Sequence, residues 1–296
     1  MALEKCAGGV VKLNTGFVMP LVGFGTYKIV GQTAVTTAVD AALKAGYRLF
    51  DTAKYYNNEP ELGTALKEML PKFNLKREDI FLTTKFFPVK DDNILNARKM
   101  VEESLASLQT SFLDLVLIHY PKAEERENTD PRNAIDRREI YLELLKLKDE
   151  GKIRSVGVSN FEDRHIEELI SCSGVTPAVD QVEFHPHFAR KQLREYCKQN
   201  DIFFQAFSCL ARMNPELLGD PTIVNIANAH QTTPAKILIA WPLHLGVGVV
   251  PKSASPSRIV ENFSAIDVRL APEEVEKISN LDKEKPYIRT RGWEVL

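Results

Sequence analysis

Cysteine is scarce in this sequence. Its four cysteines, Cys6, Cys172, Cys197 and Cys209, lie far apart and form no CxxC pair. That argues against a zinc knuckle or a disulfide framework and points to a reducing, cytoplasmic setting. Charge of one sign is also missing. A formal net charge of −2 over 296 residues supplies no basic face for nucleic acid or for an anionic membrane. No apolar run is long enough to span a bilayer, and the opening MALEKCAGGVVKLN lacks the apolar core of a secretion signal. The triplet Asn262-Phe263-Ser264 is therefore read as chance and not as a glycosylation site. No Pro/Gly-rich linker or low-complexity segment divides the chain, so residues 1–296 are expected to form a single domain. Nothing suggests an obligate interface, and a monomer is expected.

What is present is an alternation. Eight short apolar runs, 21–26, 48–52, 80–85, 113–119, 153–160, 178–184, 202–208 and 247–252, are rich in Val, Ile, Leu and Phe, as in strands buried on both faces of a parallel sheet. Helical patterns lie between them. Residues 33–45 carry Val35, Val39, Ala42 and Leu43 on one face and stop at Gly46. Residues 93–108 do the same with Ile94, Ala97, Val101, Leu105 and Leu108. A helix over 132–150 closes at Gly151, and Pro272 opens one over 273–281. Residues 10–20 read as a hairpin turning at Asn14-Thr15-Gly16. Eight β/α units in one series predict an α/β fold, a (β/α)8 barrel, with the N-terminal hairpin closing its bottom. An open doubly wound sheet is the weaker alternative. GFGTYK (23–28) has two glycines of a dinucleotide fingerprint but Lys28 in place of the third.

In such a barrel the chemistry sits where the strands end. The second run ends in Asp51, the third in Lys85, the fourth in His119 and the fifth in Ser159-Asn160. The sixth carries Gln181 and Glu183, the seventh ends in Ser208, and the eighth leads into Lys252-Ser253. Any single strand must end in something polar. Asp, Lys and His on three consecutive strands are harder to dismiss, because a buried acid and a buried lysine are expected to pair. The stretch DTAKYYNNE (51–59) adds a phenol close to Asp51. A lysine ammonium beside that phenol is expected to lower its pKa from about 10. An acid, a phenol, a lysine and a histidine together suit proton transfer to an oxygen, as carbonyl reduction requires. The segment KSASPSR (252–258) brings Lys252, Ser253, Ser255 and Arg258 to the loop after the last strand, where barrels often hold phosphate, and arginine's planar fork suits phosphate oxygens.

With these residues in view, the sequence closely resembles the aldo-keto reductases over nearly its whole length. DTAKYYNNEPELG places Asp51, Ala53, Tyr56, Asn58, Glu59 and Gly63 in register with the family's D-x-A-x-x-Y-x-N-E-x-x-x-G, which selects Tyr56 over Tyr55. LTTKFFP, DLVLIHYP, GVSNF and VPKSASPSRIVEN match further family blocks. The resemblance implies an NADPH-dependent aldehyde and ketone reductase in which Tyr56 donates the proton, Asp51 and Lys85 tune it, and His119 orients a small carbonyl substrate. It implies that NADPH meets Gly25, Thr26 and Tyr27, then Ser159, Asn160 and Gln181 at the carboxamide, with Phe207 on the nicotinamide ring. Ser208, Leu210, Lys252, Ser253, Ser255 and Arg258 would follow along the phosphates, with Glu261 and Asn262 at the adenine.

Tyr27, Phe86, Phe87, Tyr120 and Trp293 are expected to line the substrate pocket. Tyr27, Tyr120, Asp180 and Phe207 depart from the residues usual at their positions, and the loop after the seventh run is short. The departures bear on the substrate pocket, and the short loop points to an open pocket of broad specificity. Two other readings stay open: a Schiff-base aldolase built on Lys85, and an NADPH-binding redox sensor without turnover. A metal role for His185-Pro186-His187 is disfavoured, because a proline separates the two histidines and no cysteine is near. His165, His230 and His244 read as packing or surface residues on helices.

Overall fold

A computed structural model describes residues 2–288 and 291–296; Arg289 and Thr290 of the C-terminal tail lie outside the described residues. The chain opens with an antiparallel hairpin, β1 (Val10–Lys12) and β2 (Val18–Pro20), paired Lys12 to Val18. Eight parallel strands follow: β3 (Gly23–Gly25), β4 (Leu49–Asp51), β5 (Phe81–Phe86), β6 (Leu113–Ile118), β7 (Ile153–Ser159), β8 (Val179–Glu183), β9 (Phe203–Phe207) and β10 (Gly248–Val249). They are hydrogen-bonded in sequence order from β3 to β10. Parallel bridges Val22 to Val249 and Gly25 to Lys252 join the last strand to the first, so the sheet closes into a barrel. β10 is shorter than the apolar run 247–252 because Pro251 has no amide hydrogen to give the ladder. Its carbonyl still accepts from Gly25 N at 3.0 Å, and closure continues past the proline.

The outer helices are α1 (Gln32–Ala45), α2 (Glu59–Met69), α3 (Asn93–Ser107), α4 (Arg132–Asp149), α5 (Asp163–Ser173), α6 (Lys191–Gln199), α7 (Pro215–Leu218), α8 (Pro221–Ala229), α9 (Pro234–His244), α10 (Pro256–Phe263) and α11 (Pro272–Ser279). α1 ends where Gly46 takes φ 112°, a left-handed conformation that a side chain resists, and its amide caps the carbonyls of Ala42 and Leu43. On α3 the expected apolar face is correct for Ala97 and Val101 but not for Ile94. That residue sits in the first turn and is 45% exposed.

Two apolar clusters follow from the alternation of side chains along each strand. One lies between sheet and helices and takes Leu82 and Phe86 from β5. The other fills the barrel and takes Leu49, Phe81, Leu115, Leu117 and Val179, with Leu13 and Met19 from the hairpin. The hairpin is pinned across the barrel's N-terminal end. Asn14 Nδ2 donates to the carbonyls of Pro177 (3.1 Å) and Asp201 (3.0 Å), and Thr15 Oγ1 bonds Ser155 Oγ at 2.7 Å. The bottom is therefore plugged with apolar side chains, and the polar inward-facing residues collect toward the top.

Candidate active site

On β5, inward Phe81 and outward Leu82 set the phase, which turns Lys85 into the barrel. There its ammonium donates to Asp51 Oδ1 at 2.6 Å and to the Thr52 carbonyl at 2.8 Å. Lys85 is 1% exposed and Asp51 2%, so the pair is fully desolvated and each charge depends on the other. Burial lowers the lysine's pKa, while the carboxylates of Asp51 and Glu59 act to raise it. Glu59 is itself buried and accepts from Thr84 Oγ1 (2.6 Å) and Ser104 Oγ (2.8 Å). The second Asp51 oxygen accepts from Gln181 Nε2 at 2.8 Å.

After β4 the chain makes a single 3₁₀ turn, Lys54–Tyr56, and Asn57 reverses it in a left-handed conformation at φ 52°. Buried Asn58 fixes that turn. Its Nδ2 donates to the carbonyls of Thr26 (3.0 Å) and Ile29 (2.9 Å), and its Oδ1 accepts from Thr52 Oγ1 at 2.8 Å. The result is that Tyr56 folds back over the strand ends with Lys85 Nζ 5.0 Å from its ring centre. The expected lowering of its pKa is not what the structure shows. Burial pushes the phenol well above its ordinary value, and Asp51 and Tyr27 add to the rise. The Lys85 ammonium, whose hydrogen bonds go to Asp51 and Thr52, does not offset that burial. Tyr56 is therefore held in its protonated form. His119 stacks on Phe87 with ring centres 4.4 Å apart and lies 6.0 Å from the Tyr56 ring. Burial and the Lys85 charge keep its pKa well below the usual histidine range, so it is neutral.

These groups open into a cavity of about 480 Å³. Asp51, Tyr56 and His119 line it, with Lys85 buried behind Asp51. Among the expected cofactor residues, Gly25, Tyr27, Ser159, Asn160, Gln181, Phe207, Ser208, Leu210, Lys252, Ser253, Arg258, Glu261 and Asn262 also line it. Thr26 does not, because its hydroxyl donates to the Asp51 carbonyl at 2.9 Å in the protein interior. Ser255 stands at the start of α10 and bonds Ser257.

Phe87 lines the cavity, but Phe86, Tyr120 and Trp293 do not. Phe86 follows inward Lys85 and so points outward into the helix-facing core. Tyr120 turns to the backbone of Arg291 and toward Glu294. Trp293 packs on Phe188 with ring centres 5.4 Å apart and lies beneath the Arg190 guanidinium. Tyr55, passed over in the motif alignment, takes their place. It is 56% exposed, stacks with Tyr27 at 6.4 Å and meets Phe87 edge-on at 5.7 Å.

Asn160, at φ 62°, gives its Nδ2 hydrogens to the His119 carbonyl (2.9 Å) and Ser159 Oγ (3.1 Å). Its oxygen is left as the free acceptor. At the far end of the cavity stand Lys252 and Arg258, with Lys28 near them: burial lowers the Lys252 pKa, and repulsion from Lys28 and Arg258 lowers it further. Such a cluster wants an anion. In the sequence Lys28 stands out only as an interruption of a glycine pattern. Between the two ends, the short loop after β9 still supplies a wall through Ser208, Leu210, Arg212 and Met213. Four of its residues, Ser208, Ala211, Arg212 and Met213, have φ between 44° and 63°, and the Ser208 hydroxyl is buried with no partner among the described residues.

His185 Nε2 bonds Glu183 at 3.0 Å and His187 Nδ1 bonds the Tyr287 hydroxyl at 2.9 Å. All four cysteines are free, and burial pushes the Cys209 thiol up to about 12, which leaves it unreactive. Among the described residues no helix is long and apolar enough to cross a membrane.

Residues 21–283 match the family described as the aldo/keto reductase family. Glyoxal reductase of Bacillus subtilis (strain 168) is 38% identical over 275 residues, which cover 93% of this chain and 93% of the relative. Methylglyoxal reductase DkgA of Escherichia coli (strain K12) is 37% identical over 277 residues, 93% of this chain and 94% of that one. A solved aldo/keto reductase from Brucella melitensis superposes with a TM-score of 0.83 at 38% identity, covering 94% of this chain and 99% of that one.

Proposed function

The chain belongs to the aldo/keto reductase family and is an oxidoreductase that reduces carbonyls to alcohols, and on that premise we propose that it uses NADPH and protonates the substrate oxygen from Tyr56. The observation that carries this reading is the shared cavity. A buried, protonated phenol above the Asp51–Lys85 pair faces the same space as Lys252 and Arg258, and Lys28 lies close enough to repel Lys252.

The residues present fit the cofactor. Lys28, Lys252 and Arg258 have the charge to hold a phosphorylated ribose, and Arg258 offers the bidentate fork. Asn160 and Gln181 have committed their amide hydrogens elsewhere and turn oxygens to the carboxamide NH₂. Phe207 lines the same cavity and would supply the ring beside the nicotinamide. Bound NADPH supplies a hydride to the carbonyl carbon. The chain's own part is the proton. Tyr56, kept neutral by burial, gives its proton to the carbonyl oxygen as negative charge develops there. The phenolate left behind has the Lys85 ammonium 5.0 Å from its ring centre. His119, neutral and fixed against Phe87, positions the substrate oxygen by hydrogen bonding. Tyr27, Tyr55 and Phe87 form an aromatic mouth suited to aldehydes and ketones with a flat or apolar body.

The test is a panel of glyoxal, methylglyoxal and aromatic aldehydes with the purified protein, following NADPH absorbance. Carbonyl-dependent oxidation of NADPH, at least tenfold better than with NADH, is expected. NADPH binding without turnover of any carbonyl would favour the redox-sensor reading, and borohydride trapping of a substrate on Lys85 would favour the aldolase.

A further inference from the structure

Strand pairing sets Ser159 beside Gln181 and Gln181 beside Gln205. Gln205 is fully buried inside the barrel and was not among the residues that the sequence marked. Its Oε1 accepts from Gln181 Nε2 at 2.8 Å, and the same nitrogen donates to Asp51 Oδ2 at 2.8 Å. An ionised carboxylate only accepts, so Gln181 must present its nitrogen there. Both amide hydrogens are then spent, and the remaining oxygen belongs to the side of Gln181 that lines the cavity. The Nε2 of Gln205 itself has no partner among the described residues. A buried amide nitrogen left unsatisfied needs a reason, and the reason lies in what its oxygen does.

We propose that Gln205 is a positioning residue for the cofactor: by accepting the second Gln181 hydrogen it locks that amide with its oxygen toward the cavity, where it can only accept from a carboxamide NH₂. The inference rests on the cofactor reading above. With Asp51 as its sole anchor the Gln181 amide can swing about one hydrogen bond. With two acceptors at fixed places it cannot. The chain Gln205–Gln181–Asp51–Lys85 then ties the group that reads the nicotinamide to the carboxylate that anchors the lysine under Tyr56. A Gln181 turned by half a rotation would set N–H against N–H and also leave Asp51 Oδ2 without its donor.

The experiment compares Gln205→Met, which keeps the length but removes the acceptor, with Gln205→Glu, which accepts whether ionised or protonated. Gln205→Ser, too short to reach Gln181, is a second loss variant. Titration calorimetry measures NADPH and adenosine 2′,5′-bisphosphate, which lacks the nicotinamide. Loss of one hydrogen bond is expected to weaken NADPH by roughly fivefold to tenfold in the Met and Ser variants. Bisphosphate affinity should stay within about twofold, and Gln205→Glu should recover most of the loss. Equal losses for both ligands would mark a merely structural residue and overturn the proposal, as would unchanged NADPH affinity in the two loss variants. If the unaltered protein binds the bisphosphate but not NADPH any more tightly, the carboxamide assignment itself falls.

Discussion

Lys85→Met is the perturbation whose cost can be worked most fully from the structure. It removes a 2.6 Å ion pair and a 2.8 Å bond to the Thr52 carbonyl, both in the protein interior. Among the described residues Asp51 then keeps only Gln181 as a side-chain donor while remaining 2% exposed. Breaking a buried pair by removing one partner costs about 3–5 kcal/mol, because the remaining charge is stranded. With a urea slope of about 3 kcal/mol per molar, the unfolding midpoint should fall by roughly 1–1.7 M. Asp51→Asn added to Lys85→Met removes the stranded charge. The double variant should recover more than half of that loss, leaving a deficit of about 1–2 kcal/mol for the unsatisfied Thr52 carbonyl. Circular dichroism in urea reads all three proteins at neutral pH. A midpoint shift below about 0.3 M for Lys85→Met, or a double variant no more stable than the single one, would refute the claim that these two charges are mutually dependent and desolvated.

Arg258→Met should weaken NADPH by about 1.5–3 kcal/mol, the range for a hydrogen bond to a charged group, and leave NADH nearly unchanged; equal losses by titration would contradict a 2′-phosphate contact. His165 accepts from Glu162 N at 3.1 Å and bonds the Val295 carbonyl at 2.9 Å, so both nitrogens are committed to the neutral ring. Burial pushes its pKa down to about 3, below the unfolded value of about 6.5. Its contribution is present above pH 6.5 and is lost as pH falls toward 3, at about 1.4 kcal/mol per unit. His165→Gln should flatten the stability curve between pH 6 and 4, and an unaltered slope would exclude this assignment. Gly292→Ala would place a methyl 1.8 Å from the Asn160 carbonyl oxygen. Displacing Asn160 should lower turnover by roughly tenfold to a hundredfold, and normal kinetics would show that the tail does not support the cofactor site.

The barrel was legible because its strands are buried on both faces and so nearly uniform in sequence, while Gly46, Gly151 and Pro272 punctuate the helices between them. Asp51, Tyr56, Lys85 and His119 were legible because each sits at or just beyond a strand end. The pocket walls were less so. Phe86 was misplaced although the two-residue period was available: Lys85 inward forces Phe86 outward. Tyr120 and Trp293 depend on where the C-terminal segment lies, and no local pattern records that. Tyr55 was set aside because a motif chose its neighbour, yet a 3₁₀ turn presents both side chains near the cavity. The phenol's pKa was expected to move the wrong way because sequence reveals a nearby lysine but not how its hydrogen bonds are spent. Gln205 lay unmarked in IFFQAFS for the same reason. Its role appears only when β8 and β9 are paired in register.

The central claim, that Tyr56 is the proton donor to a carbonyl reduced by NADPH, is tested most directly by Tyr56→Phe. The ring and its packing against Tyr27 and Lys85 are kept, and only the hydroxyl is lost. Turnover of an aromatic aldehyde should drop by at least about a hundredfold to ten-thousandfold, the usual worth of a general acid, with NADPH affinity held within about threefold. Turnover at the unaltered rate with the phenylalanine in place would contradict the account.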